Sequence, residues 1–226
     1  MRRWLILLLL LCRLSVPVQA RETGKYVALT FDDGPSGRYT RMLLEGLEQR
    51  GAVATFFLCG YRLETWGDLA GEIRSRGHEI GLHGYSHDSM ASMSLQTLRR
   101  ELEQTQRLLP EGGVINLMRP PGGLVSPTVS QCARERNLSV ISWSVDPKDW
   151  ATDDAELILE RMLEQTGDGS VILLHDMSGS SVEAALALVD ALKAQGYQFL
   201  TVSQLAMLRL CQLQPGQMYE SFCPKM

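Results

Sequence analysis

Short segments rich in β-branched and aromatic residues alternate with segments of helical spacing along most of this chain. We predict strands at residues 26–31, 53–59, 79–83, 114–118, 139–145, 170–174 and 199–202. Strands that alternate with helices are typical of a parallel sheet with crossover helices. Residues 171–174 are apolar without alternation, which indicates a strand covered on both faces. The pattern favours one α/β domain, since neither an internal repeat nor a linker interrupts it.

Capping residues predict where four of the helices begin. Ser94 precedes leucines at helical spacing, and Ser126 is followed by a proline that suits a first turn. Thr152 precedes two aspartates, which favour the positive end of a helix. Ser180 and Glu183 have the spacing of a capping box.

The first 20 residues have the composition of a secretory signal. Arg2 and Arg3 precede the apolar run 4–11, and small residues at 18–20 form a cleavage site. The apolar run is far shorter than the roughly 20 residues of a membrane span. We therefore expect a signal at residues 1–20 and a mature chain, residues 21–226, that is secreted or held in the cell envelope. An uncleaved anchor is the alternative.

The charge balance of the mature chain excludes two classes of partner. Removing residues 1–20 leaves 19 basic against 26 acidic side chains, a net charge of −7. Without a basic stripe or tail, neither nucleic acid nor an anionic lipid surface is an expected partner. We expect a monomer with no stable membrane span.

Four cysteines remain after residue 20, and they allow three disulfide pairings. Cys211 and Cys223 bracket a polar tail that begins at about residue 210, which favours a bridge between them. Cys59 and Cys132 are expected to be buried thiols. Their spacing does not fit a cysteine zinc site.

Polar residues follow the carboxyl ends of five predicted strands. These clusters are Asp32-Asp33, His83 with His87, Arg119 with residues 120–123, Asp146 with Asp149 and Trp150, and His175-Asp176. Carboxyl ends of parallel strands meet on one face of a barrel or open sheet, where ligands bind. A barrel of seven or eight strands would gather all five clusters at one mouth.

Two histidines and a carboxylate give this mouth the donors of a metal site. His83 and His87 are four residues apart, so both imidazoles can reach one ion, either from a helical turn or from a tight loop around Gly84. With one carboxylate they make three protein ligands, which leaves a position open as catalytic zinc sites require. The same donors also occur in non-haem iron oxygenases. His78 is expected to be solvated, and Trp66 and Trp143 to be packing residues.

Five segments resemble, in order, the motifs of the polysaccharide deacetylase family, also described as the NodB-homology domain or carbohydrate esterase family 4. They are residues 30–35 (TFDDGP), 83–87 (HGYSH), 119–123 (RPPGG), 146–150 (DPKDW) and 173–176 (LLHD). The resemblance covers about residues 24–205. It implies an α/β fold, a distorted (β/α) barrel with seven or eight parallel strands in a single domain. It also implies metal-dependent removal of acetyl groups from N-acetylated sugars.

The resemblance implies a metal-binding set and a catalytic set. Asp33, His83 and His87 would bind Zn²⁺, although Co²⁺ and Ni²⁺ tolerate the same ligands. The catalytic set comprises Asp32 as general base, Arg119 holding Asp32, His175 as general acid and Asp149 tuning His175.

Substrate contacts are implied at four further positions. Trp150 and Leu173 would shape the pocket for the acetyl methyl group, and the turn at Gly122 would offer a backbone N–H. Tyr85, beside the histidines, could be a sugar contact or a packing residue. Two residues depart from the family pattern, which usually has Ser or Thr at Gly84 and often an aromatic residue at Gly122.

The sequence therefore predicts an exported deacetylase acting on N-acetylglucosamine units of peptidoglycan or a chitin-like polymer. A deacetylase or amidase with a non-polymeric substrate, and a non-catalytic carbohydrate-binding relative, are the alternatives. An oxygenase is disfavoured, because His175 and Asp149 are suited to protonating a leaving amine.

Overall fold

The computed structural model describes residues 24–223, so the predicted signal at residues 1–20 lies outside the described residues. The strands in this part of the chain are β1 (Lys25–Asp32), β2 (Thr55–Leu58), β3 (Glu79–Leu82), β4 (Leu117–Met118), β5 (Ser139–Ile141), β6 (Val171–His175), β7 (Tyr197–Phe199) and β8 (Met218–Tyr219). The α-helices are α1 (Arg38–Gln49), α2 (Gly60–Ser75), α3 (Leu95–Arg107), α4 (Pro127–Glu135), α5 (Ala155–Gln165), α6 (Gly179–Ala194) and α7 (Val202–Leu208).

The strands form one curled sheet in the order β6-β1-β2-β3-β4-β5-β8, and β7 pairs with the first residues of β1. Every pairing between these named strands is parallel. The predicted fold, a distorted barrel of seven or eight parallel strands in a single domain, is confirmed. Its parallel strands place all the carboxyl ends at one mouth.

β1 is buried on both faces and separates two parts of the core. Val27, Leu29 and Phe31 pack with apolar residues of α1 and α6. The alternating residues Tyr26 and Ala28 belong to a second cluster, which includes residues of α7 and the C-terminal tail. Because alternate side chains on a strand point to opposite faces, Thr30 and Asp32 continue the inner row toward the mouth.

The C-terminal tail completes the wall between β5 and β6, a role the sequence did not predict. β8 pairs with β5, and Ser221 forms a bridge with Ser170 at the start of β6. Phe222 N donates to the carbonyl of Gly169, over 2.7 Å. A Cβ at Gly169 would lie 2.4 Å from the Phe222 carbonyl oxygen, so the tail fits only against a glycine.

Three of the predicted helix starts are confirmed, and one is wrong. Ser94 and Ser126 each accept a hydrogen bond from the backbone three residues later. At the start of α5 an aspartate stands as predicted, since the carboxylate of Asp154 caps the helix by accepting from Leu157 N. α6 begins before Ser180, because Ser178 has extended backbone and its hydroxyl accepts from Ser181 N.

The predicted bridge between Cys211 and Cys223 is wrong, because the structure has both as free thiols. Cys59 and Cys132 are buried, as predicted. His78 is also buried rather than solvated, since its Nδ1 accepts a hydrogen bond from Ala54 N over 3.1 Å. Within residues 24–223, no helix has both the length and the apolar character needed to cross a lipid bilayer.

Candidate metal centre and active site

Strand register places the candidate site residues side by side. Asp32 at the end of β1 is the register partner of His175 at the end of β6. His83 follows β3, Arg119 follows β4, and Arg119 N donates to the carbonyl of Leu82. Four sequence-distant polar residues therefore meet at the mouth of the barrel because four parallel strands end there.

Asp33, His83 and His87 form the candidate metal centre. Asp33 Oδ1 lies 3.2 Å from His83 Nε2 and 2.9 Å from His87 Nε2. The three ligand atoms lie within 4.8 Å of one another. Asp33 and His87 both have left-handed backbone, with φ of 72° and 67°, so the turns are bent to aim these side chains at one point. The histidines occupy a tight loop rather than a helical turn.

The hydrogen bonds around these donors fit a divalent cation. His83 Nδ1 lies 2.7 Å from the carbonyl oxygen of Arg119, which can only accept, so Nδ1 carries a proton. In the neutral ring, His83 Nε2 then has a free lone pair, as a metal ligand requires. Asp33 Oδ1 is buried and meets no hydrogen-bond geometry despite the close histidines. Two imidazole nitrogens and a carboxylate suit zinc and its neighbouring transition metals.

The ionisation of the metal-free site favours a charged Asp33. Burial opposes ionisation of Asp33, but the neighbouring imidazoles of His83 and His87 outweigh it and hold the pKa of Asp33 well below its usual range. The carboxylate of Asp33 in turn raises the pKa of His87. The centre therefore offers the anionic oxygen that a cation would bind.

Arg119 fixes the neighbouring carboxylate, Asp32, from inside the barrel. Both residues are buried, and Arg119 Nη1 donates to Asp32 Oδ1 over 2.7 Å. Arg119 also donates to Thr30 Oγ1 and to the carbonyls of Ile141 and Ser142. Burial lowers the pKa of Arg119, whereas the charge and hydrogen bond of Asp32 oppose that shift. Asp32 Oδ2 lies 3.8 Å from His83 Nε2 and so faces the metal centre.

His175 and Asp149 form a second ion pair across the mouth, in which Asp149 is buried and His175 is half-buried. His175 Nδ1 donates to Asp149 Oδ1 over 2.8 Å, while Asp149 Oδ2 accepts from His175 N and from Ser181 Oγ. Burial lowers the pKa of His175, but the hydrogen bond and charge of Asp149, with the charges of Asp32 and Asp33, raise it to about 9. His175 is therefore protonated at neutral pH and can donate from Nε2.

A cavity of about 440 Å³ opens over these groups. Its lining residues are Asp32, Asp33, His83, His87, Gly122, Trp143, Asp146, Trp150, Leu173 and His175. A neighbouring cavity of about 240 Å³ shares Trp150, Asp33 and His175 and extends to Asp153 and Ser178. Trp150 is 68% exposed and stands between the two cavities.

The cleft contains most of the predicted substrate-contact residues. Gly122, Trp150 and Leu173 line it, but Tyr85 is not among its lining residues. The Tyr85 hydroxyl donates to Glu64 Oε1 on α2 over 2.6 Å, so this ring packs on the outside of the loop. In the turn after Arg119, Gly123 N donates to the carbonyl of Pro120. Gly122 N is therefore the candidate backbone donor to a substrate.

Two contributions to the site were missed in the sequence. Trp143 packs near the Arg119 guanidinium, 5.6 Å from ring centroid to Cζ, and also lines the cleft. Asp176, directly after His175, is fully buried and accepts from Thr40 on α1. Burial raises the pKa of Asp176 to about 7. The sequence offered only the aromatic character of Trp143 and the position of Asp176 after His175. Neither signal specifies which side chain the residue contacts.

Comparisons with known proteins identify relatives of this chain. A family model described as polysaccharide deacetylase matches residues 19–141. The peptidoglycan-N-acetylmuramic acid deacetylase PdaC of Bacillus subtilis is 34% identical over 183 residues, covering 80% of this chain and 38% of PdaC. The solved structure of PdaC matches with a TM-score of 0.79 at 33% identity, over 83% of this chain and 93% of that chain.

Two further matches extend the comparison. A peptidoglycan-N-acetylglucosamine deacetylase of Bacillus cereus is 36% identical over 187 residues, 80% of this chain and 88% of that protein. A family 4 acetyl xylan esterase from Clostridium thermocellum, solved with a cobalt ion, has a TM-score of 0.81 and 31% identity, over 87% of this chain and 98% of that chain. The chain spans only about two fifths of the length of PdaC. With these matches in sequence and fold, the chain belongs to the polysaccharide deacetylase family.

Proposed function

We propose that this chain is an exported, metal-dependent deacetylase that removes N-acetyl groups from N-acetylglucosamine-containing polysaccharide. One observation carries the proposal: the three-ligand centre of Asp33, His83 and His87 has Asp32 and His175 beside it in one cleft. The names of the relatives, which are peptidoglycan deacetylases, support the substrate class.

Amide hydrolysis needs a nucleophile at neutral pH and a group that removes its proton. A zinc ion bound by Asp33, His83 and His87 would lower the pKa of water toward 7 and polarise the acetyl carbonyl. Asp32 is the general base, because its Oδ2 faces the centre while Arg119 holds its Oδ1. The guanidinium fixes the orientation of Asp32, so the acceptor oxygen stays aimed at the attacking water.

The leaving amine needs a proton, and His175 is placed to give it. Its Nε2 faces the cleft as imidazolium while Asp149 holds Nδ1–H. A raised pKa keeps this acid charged at neutral pH, and the carboxylate stabilises the charge until the proton leaves. The reaction produces acetate and a free amine on the sugar.

The walls of the cleft would position the N-acetyl group and its sugar ring. Leu173 is two residues before His175 on β6, so both side chains share the inner face. Leu173 then offers the acetyl methyl group an apolar contact close to the acid. The exposed face of Trp150 is available for stacking on a pyranose ring, and Gly122 N can donate to the oxygen that gains charge.

The remaining sequence-based expectations complete the proposal. Residues 1–20 are a secretory signal and residues 21–226 the mature deacetylase domain, a monomer that acts in the cell envelope or outside the cell. Zinc is the proposed metal, with cobalt or nickel as substitutes. Atomic absorption on protein purified without added metal identifies the ion.

Acetate release from chitin oligomers and from purified peptidoglycan tests the activity. We expect release by the zinc-loaded protein, loss with a chelator, and loss in Asp32→Asn at unchanged zinc content. Asp190→Asn is the matched control, because Asp190 is exposed on α6 and pairs with Arg50. Sugar binding without acetate release would contradict the proposal and favour a non-catalytic binding protein.

Ester hydrolysis is a second candidate, favoured by the match to an acetyl xylan esterase. The same base and metal would cleave an acetyl ester, whose alkoxide leaving group depends less on a strong acid. Acetylated xylan assayed beside the chitin oligomers, together with a small N-acetylated amide, separates the three substrate classes.

A further inference from the structure

The loop between the two candidate histidine ligands is held on one side by α2. Gly60 N donates to the carbonyl of Gly84 over 2.9 Å, and Tyr61 N donates to the carbonyl of Tyr85 over 3.0 Å. The first N–H groups of a helix have no partner within the helix, so they are available for such contacts. The carbonyl groups of this loop are thereby satisfied.

The N–H groups of the same loop point the other way, to Glu101 on α3. A single oxygen, Glu101 Oε2, accepts from Tyr85 N over 2.8 Å, from Ser86 N over 2.9 Å and from Ser86 Oγ over 3.1 Å. Hydrogen bonds to a charged acceptor are stronger than those between neutral groups. Two consecutive backbone donors therefore converge on one carboxylate directly between His83 and His87.

The two histidines depend on this loop to different degrees. His83 is buried next to β3, and the carbonyl of Arg119 orients its ring. The side chain of His87 is 42% exposed, and its Nε2 lies 2.9 Å from Asp33 Oδ1. The backbone of residues 84–86 thus sets where His87 stands relative to Asp33.

We propose that Glu101 is a positioning residue for the metal centre, fixing the loop that brings His87 to Asp33 and His83. This inference rests on the proposed function, because it assigns a role toward the metal. Among the described residues, the Glu101 carboxylate accepts from the loop at Tyr85 and Ser86 and from none of the three candidate metal ligands. The carboxylate acts through the peptide groups of Tyr85 and Ser86.

The attachment of α3 to the barrel does not require Glu101. Leu98 and Leu102 of α3 are fully buried in the cluster that also contains Leu82 and Met118. Removing the carboxylate therefore leaves the apolar contacts of the helix in place. The substitution instead leaves two N–H groups of the histidine loop without their acceptor. Its effect on the loop can therefore be measured separately from folding.

Zinc affinity, measured by chelator competition on metal-free protein, tests the inference without relying on activity. Groups that orient metal ligands typically contribute roughly 10–100-fold to metal affinity. We expect Glu101→Ala to weaken zinc binding by that factor. Glu101→Gln should fall between Ala and the unmodified protein, because its amide oxygen still accepts but carries no charge.

Glu103→Gln is the matched control on the same helix, since the Glu103 side chain is 45% exposed and pairs only with Arg107 among the described residues. The thermal midpoints of the metal-free variants should agree with that of the control. Zinc binding by Glu101→Ala equal to that of the control would overturn the role of Glu101. If Glu101→Ala fails to fold, Glu101→Gln decides: weaker binding than the control supports the role, and equal binding overturns it.

The outcomes separate this inference from the proposed function. Equal zinc binding by all variants, with acetate release intact, overturns only the role of Glu101. If Glu101→Ala binds zinc more weakly than the control but the unmodified protein releases no acetate, only the proposed activity is overturned. An unmodified protein that does not bind zinc overturns both.

Discussion

Replacing Asp149 by Asn tests whether the proposed acid, His175, depends on the buried carboxylate. Asp149 Oδ2 accepts from His175 N and Ser181 Oγ, and Oδ1 accepts from His175 Nδ1. An amide has one oxygen, which must remain with the backbone N–H of His175 because that donor cannot reverse. The amide N–H₂ then faces Nδ1, which must give up its proton. The ring becomes neutral with its proton on Nε2.

The size of the effect follows from the pKa of His175, which the fold raises from 6.5 to about 9. At about 1.4 kcal/mol per unit, the fold favours the imidazolium by about 3 kcal/mol. This stabilisation is fully present below pH 6.5 and is lost as the pH rises through about 9. A bound cation would offset the contributions of Asp32 and Asp33 but not that of Asp149. The alkaline limb of kcat/KM is therefore expected at or below pH 9.

In Asp149→Asn we expect kcat to fall by about 10²–10⁴-fold, the usual contribution of a positioned acid. The pKa of His175 should fall below 6.5, since burial is no longer opposed, and NMR titration of the imidazole measures it. The loss of stability relative to the unmodified protein should be greatest below pH 6.5. An alkaline limb that stays in place in the variant, with acetate release retained, would refute the proposed coupling. Asp190→Asn again serves as the control.

Three further substitutions probe the framework of the site. Arg119→Met should lower the free energy of unfolding by about 3–5 kcal/mol, because it leaves the charge of Asp32 buried and unpaired. Urea unfolding at pH 7 measures this loss of stability, and the loss should be smaller at low pH. Gly169→Ala should destabilise by more than about 1 kcal/mol, since φ is +89° there and the new methyl group meets the Phe222 carbonyl; an unchanged thermal midpoint would contradict the closure of the barrel by the tail. Asp176→Asn should stabilise the protein above pH 7, because the carboxyl group ionises near pH 7 in the folded chain and near pH 3.8 in the unfolded chain. This difference lowers the free energy of unfolding by up to about 4 kcal/mol as the pH rises. Stability curves of the two proteins that remain parallel from pH 4 to 8 would exclude this explanation.

The fold and the centre of the site were predictable because both depend on local patterns. Apolar runs marked the strands, and the rule that parallel strands end on one face placed Asp32, His83, Arg119 and His175 together. The register pairing of Asp32 with His175 then follows from the topology of β1 and β6.

The parts that could not be predicted depend on contacts between distant segments. β8 has only two residues, and it is a strand because β5 and β6 leave an edge for it. Tyr85 carries no local signal for which side of its loop it occupies, and α2 decides that. Glu101 is a half-buried residue of the amphipathic helix α3, and from the sequence alone a solvated carboxylate is its ordinary interpretation.

The position of β1 has a consequence for when the chain can fold. This strand is synthesised near the beginning of the chain, yet its neighbours β6 and β7 come from residues 171–175 and 197–199. Pairings between such remote segments form slowly, because closing the long intervening loop costs conformational entropy before any stabilising contact forms. Stable folding must therefore wait until most of the polypeptide has been made. For the export proposed above, this order of folding leaves the central strand without its neighbours β6 and β7 until residues 171–199 are available.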